Sequence, residues 1–252
     1  MLVCAENLSR LDGIVHGFTT REGGVSTGEL NSLNLGWREH EEPASLLENW
    51  CRVGNAIGVG AESIAMVDQV HGDVVVVANE GGGVQSLVGR ADGLVCTVPG
   101  RAVAVRVADC VPVLLACRGV VAAVHAGWRG TAAAIVCRGV EAVCEVAGVA
   151  PHEIVAAIGP CIGSCCYEVG DEVVRGIGAH LDPSAFVDET RGAPHVDLAL
   201  ANQLLLEKMG LEDVEKVGVC TRCDPRFFSH RGDGARTGRF AGVIGLLEEP
   251  TL

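Results

Sequence analysis

The chain has 252 residues, 48% of them apolar, and a formal net charge of −13. This charge argues against a nucleic-acid partner, which usually requires a basic patch, and against anionic membranes. No apolar run reaches the ~20 residues of a membrane span, and Met1–Arg10 lacks the basic and apolar regions of a signal peptide. We therefore expect a soluble, cytoplasmic protein whose partners are small molecules; the oligomeric state stays open.

The twelve cysteines would suggest disulfides in a short secreted protein. In a long chain without an export signal, most are instead expected to be reduced thiols that pack like small apolar side chains. Six lie among aliphatic neighbours and suit this interpretation: Cys4, Cys51, Cys96, Cys117, Cys137 and Cys144. Cys220 and Cys223 form a CxxC pair, which alone is half a zinc site and has no thioredoxin context.

Strands and helices alternate in the first part of the chain. Ile14–Thr20 predicts a strand, followed by a glycine-containing loop that is either a plain surface turn or an anion-binding loop with Arg21 supplying charge. A helix is predicted from Pro43 to Ile57, because proline is tolerated in the first turn. The buried face of this helix would comprise Leu46, Leu47, Trp50 and Val53. Farther along the chain, Gly81–Gly83 predicts a loop.

The central part of the chain carries the candidate chemistry. Val-rich runs predict buried strands at 103–107, 113–117 and 120–124, and Arg118-Gly119 predicts a tight turn that makes the last two a hairpin. Cys110 and His125 would then open onto the same edge of a sheet, as a metal site or a nucleophilic cysteine requires. His71 lies between two strand-like runs, 64–67 and 74–78, where a lone histidine is more often structural than a ligand.

Further elements follow this hairpin. Thr131 is predicted to cap a helix over 132–146, whose free N–H groups would point toward Cys110 and His125. Asp197 is predicted to cap an amphipathic helix that ends at Met209. The other predictions are strands at 91–96, 154–158, 214–220 and 240–247, a helix from Asp171, and an anion site among Arg231, Arg236 and Arg239. One mixed α/β domain over residues 1–252 is the economical interpretation.

Several motifs occur together and in order along nearly the whole chain. They are Gln69-Val70-His71-Gly72, Ala108-Asp109-Cys110, His125-Ala126-Gly127-Trp128-Arg129-Gly130, Gly159-Pro160-Cys161-Ile162-Gly163 with Cys166-Tyr167-Glu168-Val169, and Phe228-Ser229-His230-Arg231 leading to Thr237-Gly238-Arg239. This pattern closely resembles the YfiH family, also called the laccase-domain or polyphenol-oxidoreductase family.

The resemblance implies a fold, a metal site and an activity. The fold would be a single-domain α/β/β/α sandwich of mixed sheets, similar to cysteine-hydrolase toxins. A zinc ion would be held by His71, Cys110 and His125, which raises His71 from a structural histidine to a ligand. Family members resemble purine nucleoside enzymes that phosphorolyse adenosine, inosine, guanosine and methylthioadenosine, and deaminate adenosine.

The residues permit this chemistry. Two imidazoles and a thiolate leave a fourth zinc position open, and zinc lowers the pKa of a bound water to about 7, which suits deamination. Guanidinium groups match phosphate, so we expect Arg21, Arg129 and Arg231 to bind it. Asp109 and Glu168 are candidate acid–base or substrate-binding groups, although a carboxylate beside a metal ligand can equally orient that ligand.

Three other functions each account for part of the sequence. A multicopper oxidase needs paired His-x-His motifs, whereas the eight histidines here are scattered, so copper could occupy the site only adventitiously. Cys110 with His125 as base could form a metal-independent hydrolase acting on an amide or a cell-wall precursor, which leaves His71 without a role. A metal- or redox-sensing protein would explain the thiols but not the arginines.

Overall fold

A computed structural model of the chain describes residues 1–37, 39–80 and 87–248. The predicted loop at 81–83 lies outside these ranges. In the described part, no helix has the length and apolar character needed to cross a membrane. The strands of this part are β1 (Leu2–Val3), β2 (Ile14–Thr19), β3 (Ile64–Ala65), β4 (Val75–Val77), β5 (Gly93–Cys96), β6 (Arg101–Val107), β7 (Val111–Cys117), β8 (Val120–Ala126), β9 (Val155–Ile158), β10 (Val187–Asp188), β11 (His195–Val196), β12 (Asp213–Lys216) and β13 (Phe240–Leu246).

The helices of the described part flank these strands. They are α1 (Glu6–Ser9), α2 (Pro43–Ile57), α3 (Trp128–Ala132), α4 (Ile135–Ala147), α5 (Asp171–Gly178), α6 (Leu198–Lys208) and α7 (His230–Asp233). Asp197 caps α6 as predicted, because its side chain accepts a hydrogen bond of 2.8 Å from the backbone N–H of Leu200. The predicted strands at 64–67, 74–78 and 214–220 are shorter in the structure.

The strands form two mixed sheets and a two-stranded ribbon of β10 and β11. One sheet has the order β1-β2-β13-β6-β3 and the other has the order β12-β9-β7-β8-β5-β4. Both sheets combine antiparallel and parallel neighbours. The first has one parallel pair, β3–β6, and the second has two, β4–β5 and β9–β12. The predicted mixed α/β class is therefore confirmed.

Three apolar clusters stack the sheets and helices in layers. Phe18 and Val105 of the first sheet share one cluster with Leu114 and Ala123 of the second, so the two sheets face each other. The outer face of the second sheet packs against α4 and α6, and the outer face of the first packs against α2. The order of layers is α/β/β/α, as the resemblance implies.

The predicted hairpin brings the candidate residues to one edge of the second sheet. β7 and β8 pair antiparallel from Cys117 opposite Val120 to Val111 opposite Ala126. Gly119 in the turn has φ +73°, a conformation that glycine adopts without steric cost. Cys110 directly precedes β7 and His125 is next to last in β8, so the hairpin places both at the end far from its turn.

The prediction that Thr131 caps a long helix is wrong. The helix α3 begins after Gly127 and ends at Ala132, and α4 begins only after Ala134, whose φ of +55° interrupts the helix. Thr131 is buried inside α3, where its hydroxyl accepts a hydrogen bond of 3.0 Å from the Asn202 amide. The longer helix α4 therefore does not begin at the candidate site.

Leu47 also departs from its prediction. The helix α2 has the predicted bounds, and Leu46, Trp50 and Val53 are buried under the first sheet. Leu47 remains 38% exposed whereas Leu46 is 4% exposed, because Leu47 lies outside the arc that faces the sheet.

We expect Leu46→Ala to destabilise the fold by about 2–5 kcal/mol, the usual cost of a cavity at a buried leucine. The matched variant Leu47→Ala should change the free energy of unfolding by about 0.5 kcal/mol or less. Chemical denaturation of both variants checks this. Equal destabilisation by the two substitutions would contradict the orientation of α2.

Candidate metal centre

Three side chains from separate segments converge at the edge of the second sheet. His71 lies in the connection between β3 and β4, Cys110 lies between β6 and β7, and His125 lies on β8. One ligand atom from each residue lies within 4.8 Å of the other two. The imidazole rings of His71 and His125 meet edge to face, with their centroids 4.8 Å apart. The structure thus brings together the three ligands that the resemblance implies.

A buried carboxylate orients two of these three residues. Asp92 Oδ1 lies 2.8 Å from His125 Nδ1 and accepts a hydrogen bond of 2.9 Å from the backbone N–H of His71. Its Oδ2 accepts from the backbone N–H groups of Val70 and Gly72. These contacts keep the pKa of Asp92 below its usual value, although burial opposes ionisation. With Nδ1 bonded to the carboxylate, Nε2 of His125 is directed to the ligand position, as in carboxylate–histidine–metal arrangements.

A second buried carboxylate fixes the segment that carries Cys110. Asp109 Oδ1 accepts hydrogen bonds of 2.7 Å from the hydroxyls of both Thr221 and Ser229, and Oδ2 accepts one of 2.6 Å from the backbone N–H of Arg231. Asp109 has φ +87°, a backbone conformation that costs about 1–3 kcal/mol in a non-glycine residue. Its three hydrogen bonds hold this conformation, which favours a positioning role over proton transfer.

Charge coupling sets the protonation of Cys110 and His125. Burial opposes the thiolate, but the charge and hydrogen bonds of the two histidines outweigh burial and lower the pKa of Cys110 to about 6. Burial likewise opposes the imidazolium, but Cys110 and Asp92 raise the pKa of His125 to about 9. The two residues therefore stabilise each other's charged forms, the thiolate of Cys110 and the imidazolium of His125.

Gly127 borders the centre so closely that a side chain would have little room. A Cβ at this position would lie 3.1 Å from both Cys110 Sγ and His71 Cδ2. The glycine in the His-Ala-Gly-Trp-Arg-Gly motif therefore lets the backbone after His125 pass directly beside the ligand group.

The centre opens into a cavity of about 500 Å³ that combines ligand, aromatic and cationic side chains. This volume falls in the range typical of small-molecule sites. Three arginines from different segments line it, Arg106, Arg231 and Arg239, against the carboxylates of Asp68 and Asp109. The remaining lining residues are Gly36, Trp37, Gln69, His71, Val107, Ala108, Cys110, His125, Tyr167 and His230.

The arginines predicted to bind phosphate are not all at this cavity. Arg231 lines it, and its guanidinium donates to the backbone carbonyl of Glu168 and lies over the Tyr167 ring. Arg21 instead donates to the Asn31 carbonyl and lies over the ring of Phe228. Neither Arg21 nor the Glu168 carboxylate is among the lining residues.

Arg129 and Arg236 are also separate from the cavity lining. The exposed Arg129 guanidinium lies 4.3 Å from the ring centroid of Trp128, and Arg236 pairs with Glu29 on the surface. Of the predicted cluster Arg231, Arg236 and Arg239, the first and last line the cavity.

Several residues that build the site are absent from the sequence predictions. Asp92 belongs to an Ala-Asp-Gly segment, in which an aspartate suggests a turn. It is brought next to His125 only by the pairing of β5 with β8, which the local sequence does not predict. Arg106 gave no signal inside an apolar strand, and its side chain bonds to the Val67 carbonyl and stacks on Trp37. Gln69 bonds twice to the Arg106 backbone, which its position in the Gln-Val-His-Gly motif could have indicated.

The donor set at the edge fits a transition-metal ion such as zinc. A tetrahedral zinc takes nitrogen ligands at about 2.0–2.1 Å and sulfur at about 2.3 Å, so neighbouring ligand atoms lie roughly 3–4 Å apart. The separations within 4.8 Å need only small side-chain movements to reach this geometry. The lowered pKa of Cys110 supplies the thiolate that a metal requires.

Comparison with known proteins shows the family to which the chain belongs. Residues 15–247 match the family described as multi-copper polyphenol oxidoreductase laccase. The chain belongs to this family. Among curated members, a purine nucleoside phosphorylase of Deinococcus radiodurans is 41% identical over 97% of this chain and 92% of its own length. Another, from Streptomyces coelicolor, is 38% identical over 94% and 97%.

Solved structures of family members share the fold. YlmD from Geobacillus stearothermophilus superimposes with a TM-score of 0.88 at 34% identity, covering 97% of this chain and 94% of its own. The Bacillus licheniformis hypothetical protein YfiH superimposes with a TM-score of 0.87 at 33% identity, covering 92% of both chains. The predicted family resemblance is confirmed.

We expect Asp92→Asn to weaken zinc binding at the centre about 10–100-fold, the usual effect of losing a carboxylate that orients a histidine ligand. Competition with a chromogenic chelator measures the affinity. Asp68→Asn is the matched control, because Asp68 lines the same cavity but contacts Arg90 rather than a ligand. An unchanged affinity in Asp92→Asn would show that this carboxylate does not orient His125.

Proposed function

We propose that the chain phosphorolyses purine nucleosides, namely adenosine, inosine, guanosine and methylthioadenosine, with a zinc ion held by His71, Cys110 and His125. The relatives named purine nucleoside phosphorylase support this, since they match more than nine-tenths of the chain. The observation that carries the proposal is one cavity that joins the ligand group to three arginines. Phosphorolysis needs both an anion site and stabilisation of the leaving base.

The arginines of the cavity are assigned to phosphate. Arg231 is the principal candidate, because Asp109 holds its backbone and the Glu168 carbonyl holds one end of its guanidinium. Arg239 and Arg106 line the same cavity, and a guanidinium fork matches two phosphate oxygens. This assignment replaces Arg21 and Arg129 of the sequence prediction, which lie outside the lining.

The aromatic lining is assigned to the purine. Trp37 and Tyr167 line the cavity, and each ring keeps one face that is not covered by Arg106 or Arg231 and on which a base can stack. Burial is the main cause that raises the pKa of Tyr167 to about 12, so its hydroxyl stays protonated at neutral pH. It can therefore donate a hydrogen bond to a purine nitrogen or a ribose oxygen.

The ligand residues act on the reacting end of the nucleoside. Zinc, when bound, supplies Lewis-acid chemistry at the substrate. His71 and His125 each provide one nitrogen and Cys110 one thiolate, while Asp92 keeps the His125 ring in a single orientation. Deamination of adenosine is part of the proposal on the strength of the family resemblance.

The pairing of Cys110 with His125 favours a second candidate, a metal-independent cysteine hydrolase. A thiolate beside an imidazolium is the activated form of a catalytic cysteine. A multicopper oxidase fits this site less well. Among the described residues, the group of possible metal ligands that contains histidine has two histidines and one cysteine. A trinuclear copper cluster needs many more imidazoles.

Incubation of the zinc-loaded protein with adenosine should release adenine and ribose 1-phosphate only when phosphate is present. Cys110→Ala should abolish this reaction and lose zinc from the centre. Product analysis by liquid chromatography, with ammonia release for deamination, makes the measurement. Nucleoside turnover that is unaffected by removal of zinc and phosphate would contradict the proposal and favour the hydrolase.

Arg231→Gln should raise the KM for phosphate about 10–100-fold, because a hydrogen bond to a charged group contributes about 1.5–3 kcal/mol. The matched control is Arg118→Gln in the β7–β8 turn, at the opposite end of the hairpin. Steady-state kinetics at varied phosphate concentration make the comparison. A KM for phosphate equal to that of the control would remove Arg231 from the phosphate site.

A further inference from the structure

A second group of metal-ligand side chains lies outside the cavity. Cys165, Cys166, Cys220 and Cys223 place their four sulfur atoms within 4.8 Å of one another. Measured contacts are 3.7 Å for Cys165–Cys166, 3.7 Å for Cys165–Cys223 and 3.4 Å for Cys166–Cys223. We name these four residues the cysteine cluster. The CxxC pair, which alone is half a site, meets a second pair from a segment 57 residues away.

The cysteine cluster differs from the apolar thiols of the core. Cys96, Cys117 and Cys161 are buried among aliphatic side chains, whereas the cluster residues are exposed or half-buried. Burial of apolar surface therefore does not account for their convergence. None of the four is in a disulfide, which would require sulfurs about 2.05 Å apart.

The spacing of the sulfurs fits one tetrahedral ion. Four sulfurs at about 2.3 Å from a zinc ion lie about 3.8 Å from one another. The separations among Cys165, Cys166 and Cys223, 3.4–3.7 Å, are close to this value. The sulfur of Cys220 lies within 4.8 Å of the other three, so small side-chain movements complete the tetrahedron. An iron–sulfur cluster would distribute the thiolates over several irons and hold them farther apart, so the compact arrangement favours a single ion.

The backbone around the sulfurs also suits thiolates. The N–H of Gly163 donates to Cys220 Sγ at 3.3 Å. The chain turns sharply within the CxxC pair, where the N–H groups of Cys223 and Asp224 both donate to the Cys220 carbonyl. A Cβ on Gly163 would lie 3.3 Å from Cys165 Sγ and 3.5 Å from Cys220 Sγ, so the glycine gives the sulfurs room.

We propose that Cys165, Cys166, Cys220 and Cys223 bind a structural zinc ion that joins two loops of the cavity wall. One loop runs from β9 to α5 and continues from Cys166 directly into Tyr167. The other runs from β12 to α7 and carries Thr221, which bonds to Asp109. The ion leaves no ligand position open, so it stabilises the loops and takes no part in chemistry.

Metal stoichiometry tests this proposal independently of any enzymatic activity. After equilibration with zinc and gel filtration, the wild-type chain should retain about two zinc ions and Cys110→Ala about one. The double variant Cys220→Ser/Cys223→Ser should also retain about one, held at the centre of His71, Cys110 and His125. The matched control Cys51→Ser/Cys144→Ser, which alters two half-buried thiols elsewhere, should retain about two.

If the double variant fails to fold, cobalt substitution of the single variant Cys110→Ala still tests the proposal, because this variant keeps all four residues of the cysteine cluster. The cobalt-loaded protein should show the intense sulfur-to-cobalt charge transfer and d–d bands of a tetrathiolate site. The proposal would be overturned if these bands were absent, or if Cys110→Ala retained less than about 0.2 zinc per chain. Iron bound in place of zinc, or a disulfide among the four cysteines found by peptide mapping, would also overturn it.

Discussion

The hydrogen bond between Asp92 and His125 is the contact on which the centre depends. One buried carboxylate binds the His125 ring and three consecutive backbone N–H groups that include that of His71. It therefore fixes two candidate ligands from different segments with a single side chain. The left-handed conformation of His71, with φ +61°, is unfavourable for a non-glycine residue and is held by this contact. Asp92 itself is placed by the register of β5 against β8, so the second sheet sets the geometry of the ligands.

Asp109 plays the corresponding part for the other wall of the cavity. It precedes Cys110 and binds Thr221, Ser229 and the Arg231 backbone, which come from the last part of the chain. The candidate metal ligand Cys110 and the phosphate-binding candidate Arg231 are thereby tied to one side chain. The three arginines of the lining also give the cavity positive groups of its own, in a chain whose net charge is −13.

The sequence predicts the parts of this arrangement that local patterns determine. Runs of valine and a two-residue turn predict the hairpin, and the hairpin alone places Cys110 near His125. Local patterns fail where tertiary pairing decides. Thr131 resembles a cap, yet Ala134 interrupts the helix after it. The four cysteines that meet at one point stand in pairs 57 residues apart, and no spacing rule joins such pairs.

The most direct test of the central claim is an anomalous difference map at the zinc absorption edge, from crystals equilibrated with zinc. The account predicts a peak bonded to His71 and His125 through nitrogen and to Cys110 through sulfur, with Asp92 still bonded to the His125 ring. A map with no peak among these three side chains, in crystals where the cavity is open to solvent, would contradict the metal centre. The cysteine–histidine hydrolase would then become the better account of the site.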